Sequence, residues 1–183
     1  SSFENCKELE KVSFDHPEKM QKDSFEIQEK VFFNCSNLQE FDFPPNANAD
    51  LVQSCFEKCE NLKKVTLPNE IKQISASMFR NCKNLENINL NKESITIIGS
   101  KAFKNCEKLE LDELPPNTKK IERKAFKNCK LIKINSLPEK ITKVGESAFE
   151  KCESIEDIQI PANVKTVDKN AFKECSGLQI IRI

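Results

Sequence analysis

The sequence predicts an α/β solenoid: one elongated body of about eight stacked coils of 23–24 residues, each with a strand, a short extended piece and a short helical turn. Three observations carry this. Phe-x-x-Cys returns at Phe3/Cys6, Phe32/Cys35, Phe56/Cys59, Phe79/Cys82, Phe103/Cys106, Phe126/Cys129, Phe149/Cys152 and Phe172/Cys175, in steps of 29, 24, 23, 24, 23, 23 and 23 residues. A period in this range marks stacked coils, none of which can bury its apolar side without its neighbours. After each cysteine the chain alternates apolar, polar, apolar, the period of a strand with one face buried. A small residue, the Phe and the Cys then recur at a spacing that puts all three on one side of a helical turn.

The elements follow in order along the best-formed coil, Phe56 to Ile74. Leu62, Val65 and Leu67 make the strand, and Pro68 forbids its continuation. After a turn, Ile71 and Ile74 make a second, short extended piece. The residue four before the Phe suits a helix N-cap at Ser75, Gly99, Gly145 and Asp168, with Glu122 the weaker case. The residue before the Phe is Ala102, Ala125, Ala148 and Ala171 in four coils, Met78, Val31 and Cys55 in others. Cys55 therefore reads as a small buried filler outside the cysteine ladder. About six extra residues within Asp15 to Glu26 form an insertion loop (15–26), Phe41 to Asp50 is a smaller, turn-rich irregularity, and Asn91 replaces the usual proline.

Two adjacent coils depart together. In Leu109-Glu-Leu111-Asp-Glu-Leu114 and Ile132-Lys-Ile134-Asn-Ser-Leu137 the middle apolar residue comes one place early, leaving Asp112 and Asn135 where Val65 and Ile88 sit elsewhere. Burying an unpaired Asp costs several kcal/mol, so a bulge that turns Leu111 and Ile134 inward is the first reading. The alternative leaves them as a small exposed apolar patch.

The pattern Leu-x-x-Ile-x-Leu-Pro-x-x-Ile-x-x-Ile-x-x-x-Ala-Phe-x-x-Cys resembles the BspA-like, Treponema-type class of leucine-rich repeats over nearly the whole chain. That resemblance implies a right-handed leucine-rich-repeat solenoid with its parallel sheet on the concave side. It also implies surface proteins of bacteria and parasitic protists, often adhesins or ligand binders. The repeat specifies shape and the variable positions specify partner.

Composition narrows the chemistry. Lys+Arg and Asp+Glu balance at 29 each, so the positive field of a nucleic-acid binder is missing and no nucleic-acid partner is expected. No apolar run approaches the roughly 18 residues of a membrane span, so no membrane insertion by this segment is expected. With one His, no Tyr or Trp, three Gly and no Cys-x-x-Cys pair, no catalytic, metal or cofactor site is expected. Stacked columns hold side chains parallel about 4.8 Å apart, whereas a disulfide wants facing Cβ atoms about 3.8 Å apart; the nine cysteines read as free, buried thiols. Asn34-Cys-Ser36 matches a glycosylation sequon but straddles the buried turn and reads as accidental.

What the repeat leaves free is the outward side of the strands. The candidate protein-binding concave face comprises Lys63, Lys64, Glu86, Asn87, Glu110, Asp112, Glu113, Lys133, Glu156, Asp157 and Gln159. Lys63/Lys64 form a basic spot and the C-terminal half is acidic. A strand ribbon on the order of 34 Å long suits a protein ligand and is too open for a small molecule. The function expected is a protein-protein interaction module of cell-surface adhesion or host interaction. The alternative is an intracellular scaffold or regulatory subunit docking an enzyme such as a phosphatase, in the cytoplasm; the free cysteines lean toward that reducing compartment. The chain reads as part of a longer array, with self-association through an uncapped end, where Leu178, Ile181 and Ile183 lack a covering coil.

Overall fold

The computed structural model describes residues 2–19, 27–48, 52–90 and 93–183. Much of the insertion loop, Asn91, and part of the Phe41–Asp50 irregularity lie outside the described residues. The rest is a parallel-sheet solenoid with two sheets running along it. The first, in two separate pieces, is formed by the predicted strand of five coils: β1 (Glu40–Asp42), β2 (Lys64–Thr66) and β4 (Asn87–Ile88), then β8 (Asp157–Gln159) and β10 (Ile180–Arg182). Its register aligns the middle apolar residues, Phe41 with Val65, Val65 with Ile88, and Ile158 with Ile181. The second sheet is built from the short extended pieces: β3 (Gln73–Ile74), β5 (Ile97–Ile98), β6 (Lys120–Ile121), β7 (Lys143–Val144) and β9 (Thr166–Val167), five strands in unbroken order.

The predicted helical turns are not formed. The only helical element among the described residues is a single 3-10 turn at Pro17–Lys19. In each coil from Phe32 onward two residues take left-handed backbone, one two places before the Phe and one immediately before the Cys, as at Lys101 (φ 59°) and Asn105 (φ 64°) or Lys124 (59°) and Asn128 (62°). A right-handed helix cannot pass through such residues. Tight turns close instead, with the Ala102 N–H donating to the Gly99 carbonyl (3.1 Å) and the Cys106 N–H to the Phe103 carbonyl (3.0 Å). Alternate N–H groups bond across to the next coil, Phe103 to the Ala125 carbonyl and Asn105 to the Lys127 carbonyl, both 2.8 Å. The predicted N-cap positions open these turns. At Gly99 a Cβ would lie 2.7 Å from the Ile74 carbonyl oxygen, so this glycine serves close approach of two coils rather than capping.

Two columns fill the core. Phe3, Phe32, Phe56, Phe79, Phe103, Phe126, Phe149 and Phe172 stack with centroids 5.2–5.6 Å apart and planes within 12°. Beside them seven cysteines, all of the ladder but Cys6, donate their Sγ–H to the carbonyl of the preceding coil's Phe, from Cys35 to Phe3 (3.0 Å) through Cys106 to Phe79 (3.1 Å) to Cys175 to Phe149 (3.0 Å). The thiols are thus more than small hydrophobes, because each satisfies a buried acceptor. All nine cysteines are free; Cys6 is exposed and the other eight, Cys55 in the Ala column included, are buried. Burial pushes their thiols up, that of Cys55 to about 12. Asn side chains make a third file, Asn34 to Asn5 (2.7 Å) and Asn105 to Asn81 (2.7 Å), so the amide of the sequon residue Asn34 is engaged.

At the C-terminal end Ile181 and Ile183 are 53% and 96% exposed, and Leu178 is only partly covered.

Candidate functional site

The first sheet stops after β4 and resumes at β8, and the gap falls on the two coils whose apolar residue comes early. Ile134 is buried and Leu111 half-buried against the core, while Asp112 and Asn135 face solvent. The inward turn expected of both residues is observed. It costs those coils their strands: what remains is one isolated bridge, Ser136 to Gln159. The backbone shows the slip directly. In regular coils the residue four after the Cys donates to its counterpart one coil back, as Lys63 does to Gln39 (2.8 Å) and Glu86 to Lys63 (3.0 Å). Lys133 donates instead to Leu111 (2.8 Å), one residue further on. The slip is local, because Leu114 and Leu137 return to the buried column of Leu67 and Leu90.

The slip opens a depression of about 380 Å³ lined by Asn87, Glu110, Asp112, Leu131 and Lys133. Asn87 comes from β4, Glu110 and Asp112 from the first irregular coil, and Leu131 and Lys133 from the second. Glu113 lines a neighbouring hollow of about 170 Å³ with Asn135 and Ser136. Glu110, Asp112, Glu113 and Lys133 are exposed and form no ion pair with any described residue. Their charges are therefore free to meet a ligand.

Of the eleven residues predicted for this face, four line the depression. Lys63 and Lys64 lie exposed along β2, and Glu86 precedes β4. Glu156, Asp157 and Gln159 lie on β8 or beside it, beyond the gap, where Asp157 is ion-paired with Arg182. Leu131 is the residue that sequence reasoning missed. It is 39% exposed, and its column two after the Cys is otherwise Glu8, Asn37, Asn61, Asn84, Lys108, Ser154 and Gly177. One leucine in a file without another apolar side chain is the signal that could have found it.

The turn side contrasts with this face. There Arg80 pairs with Glu57 (3.1 Å) and Lys127 with Glu150 (2.7 Å). Burial alone would raise the Glu150 carboxyl, but hydrogen bonds from Lys127 and Ser147 outweigh it and hold the group below its usual range. Among the described residues there is no cluster of His, Cys, Asp or Glu that could hold a metal ion, and no helix long and apolar enough to cross a membrane.

The profile of the BspA type leucine rich repeat region matches residues 1–132 and 77–183, with six copies. Two solved structures are similar. A leucine-rich repeat protein from Bacteroides ovatus is 26% identical with a TM-score of 0.79, covering 86% of this chain and 40% of that one. The T. pallidum Leucine Rich Repeat protein is 22% identical with a TM-score of 0.58, covering 88% of this chain and 65% of that one. The chain thus spans less than two thirds of either protein. No curated protein matches.

Proposed function

The chain belongs to the BspA-type leucine-rich repeat family, and on that premise we propose that it is a protein-interaction module that takes a basic segment of a protein ligand on the interrupted strand face. The family fold is typically a non-enzymatic binding scaffold, with eight coils here by the count of its ring column. The observation that carries the reading is the depression at the break in the first sheet. There the unpaired Glu110 and Asp112 stand beside Lys133 and the exposed Leu131. Two unpaired carboxylates with a small apolar anchor fit an Arg or Lys side chain of the ligand, its stem on Leu131 and its charge on the acids. Lys133 limits the attraction and, with Asn87, offers a contact for a neighbouring acceptor. Lys63, Lys64, Glu86, Glu113, Glu156, Asp157 and Gln159 extend the surface to either side, where complementary charge governs choice of partner and encounter rate. We place the protein at the cell surface, in adhesion or host interaction. Nine free cysteines favour a second reading, a cytoplasmic scaffold docking an enzyme such as a phosphatase. Probing intact against permeabilised cells for the full-length protein separates the two.

The test is charge reversal at Glu110, Asp112 and Glu113 together, none of which holds an internal ion pair, with titration calorimetry against an Arg-rich peptide and against any partner recovered by the wild-type chain. Binding should weaken by roughly tenfold or more at low salt, with an unchanged urea midpoint, and Leu131→Ser, which removes the apolar anchor without changing charge, should weaken it on its own. Equal binding by the triple variant and wild type at low salt would remove the depression as the site.

A further inference from the structure

The second sheet carries a charge pattern opposite to that of the acidic strand face. The residue before each strand's first is Lys72, Thr96, Lys119, Thr142 or Lys165, and the first strand residue is Gln73, Ile97, Lys120, Lys143 or Thr166: five lysines and no carboxylate in ten positions. All five lysines are exposed. The register is continuous from Gln73–Ile97 through Ile97–Lys120 and Lys120–Lys143 to Lys143–Thr166, so the lysines stand on four of the five rungs of one surface, the β5 rung carrying Thr96 and Ile97 instead. Lys143 is ion-paired with Asp168 (3.4 Å), whereas Lys119, Lys120 and Lys165 meet no carboxylate among the described residues. In a chain of zero formal net charge, this is segregation of cations on one face rather than a general basic excess.

We propose that the outer face of the second sheet, from Lys72 to Lys165, binds an anionic polysaccharide lying along the solenoid axis. Rungs of a sheet lie about 4.8 Å apart, so a linear polymer with repeated negative groups meets Lys72, then Lys119 and Lys120, then Lys143 and Lys165 in series. The face has no aromatic side chain, and its most apolar outward residue, Ile97, is half-buried. A folded protein ligand draws most of its affinity from buried aromatic or apolar anchors, and single-stranded nucleic acid needs aromatic rings to stack on; neither is offered here. Point charges on flexible stems suit a polymer held by charge alone. This surface is separate from the depression on the strand face, and the two can fail independently.

The test uses the 183-residue chain and a heparin-derived dodecasaccharide as probe. Replacing Lys119, Lys120 and Lys165 by Gln, which breaks no ion pair, should weaken binding roughly tenfold to a hundredfold at low salt and flatten the dependence of log K on log salt by about two to three. Thr166→Lys adds a cation to the same face at an exposed position and should tighten binding several-fold, which keeps the proposal testable should the triple variant fold poorly. Neutralising Lys101, Lys104 and Lys124 on the turn side, which also lack carboxylate partners, should change binding by no more than about twofold. The proposal is overturned if the turn-side triple rather than the sheet triple abolishes binding, if Thr166→Lys has no effect, or if poly-glutamate or a short DNA duplex binds as tightly as the oligosaccharide.

Discussion

The two sheets are built on the same period and share one core, yet the second runs unbroken through five coils while the first breaks over two. The difference comes from a single step of register. In the second sheet Ile74, Ile98, Ile121, Val144 and Val167 hold one place in every coil, so each strand finds its partner one coil back. In the first, Leu111 and Ile134 come one place early, and the chain keeps them inward at the expense of strand pairing. Burial thus outranks the sheet ladder where the two conflict. Side-chain burial has no substitute in water, whereas a displaced backbone group can bond to water or to a shifted neighbour. The conflict leaves the depression, and the absence of conflict leaves a continuous sheet face.

If the ring and thiol columns hold both sheets, the largest effect should come from alkali. The eight buried thiols keep their protons to a higher pH than they do unfolded, where such a group titrates near 8.5. The unfolded chain therefore sheds protons first, and stability should fall as pH rises above about 8.5, by about 1.4 kcal/mol per pH unit for each thiol until its folded value is passed. Urea midpoints between pH 8 and 10 measure this, and Cys129→Ala should reduce the slope by one thiol's share. A flat profile would mean that the thiols are not buried as described. Next in size, Phe126→Ala removes a ring stacked 5.2 Å from Phe103 and 5.4 Å from Phe149 and should cost about 3–5 kcal/mol. Amide exchange should then speed up in both sheets together; loss in one sheet alone would show that they do not share a core.

The register argument has a sharper test. Exchanging Leu111 with Asp112 and Ile134 with Asn135 restores the regular order, and should join β4 to β8 and close the depression. Stability should change by about 1 kcal/mol or less, since the apolar residues stay buried. New slowly exchanging amides at 111–113 and 134–136 are the expected sign, and their absence would show that something other than register breaks the sheet. An effect of similar size concerns a flaw in the second sheet's coils. Thr118 is fully buried in a column otherwise held by Ile71, Ile95, Ile141 and Val164, and its hydroxyl meets no partner among the described residues. Thr118→Val should raise stability by about 1 kcal/mol. A lower urea midpoint would show that the hydroxyl is satisfied after all.

The sequence by itself determined the period, the Phe column, the free thiols and the inside and outside of each strand, because burial acts on every coil alike and prints a repeat. It also held signs that went unread, above all Asn immediately before the Cys at Asn5, Asn34, Asn81, Asn105 and Asn128, the residue that best tolerates the left-handed backbone found there. Spacing that fits a helical turn equally fits two tight turns, and only hydrogen bonding to the next coil decides between them. The tertiary structure alone decided that the minor extended pieces make the continuous sheet, that thiols cap the Phe carbonyls, and that Leu131 borders a depression with Glu110 and Asp112. These depend on pairings between residues some two dozen positions apart. A periodic sequence constrains which way each side chain faces, but not which backbone group across the coil boundary answers it.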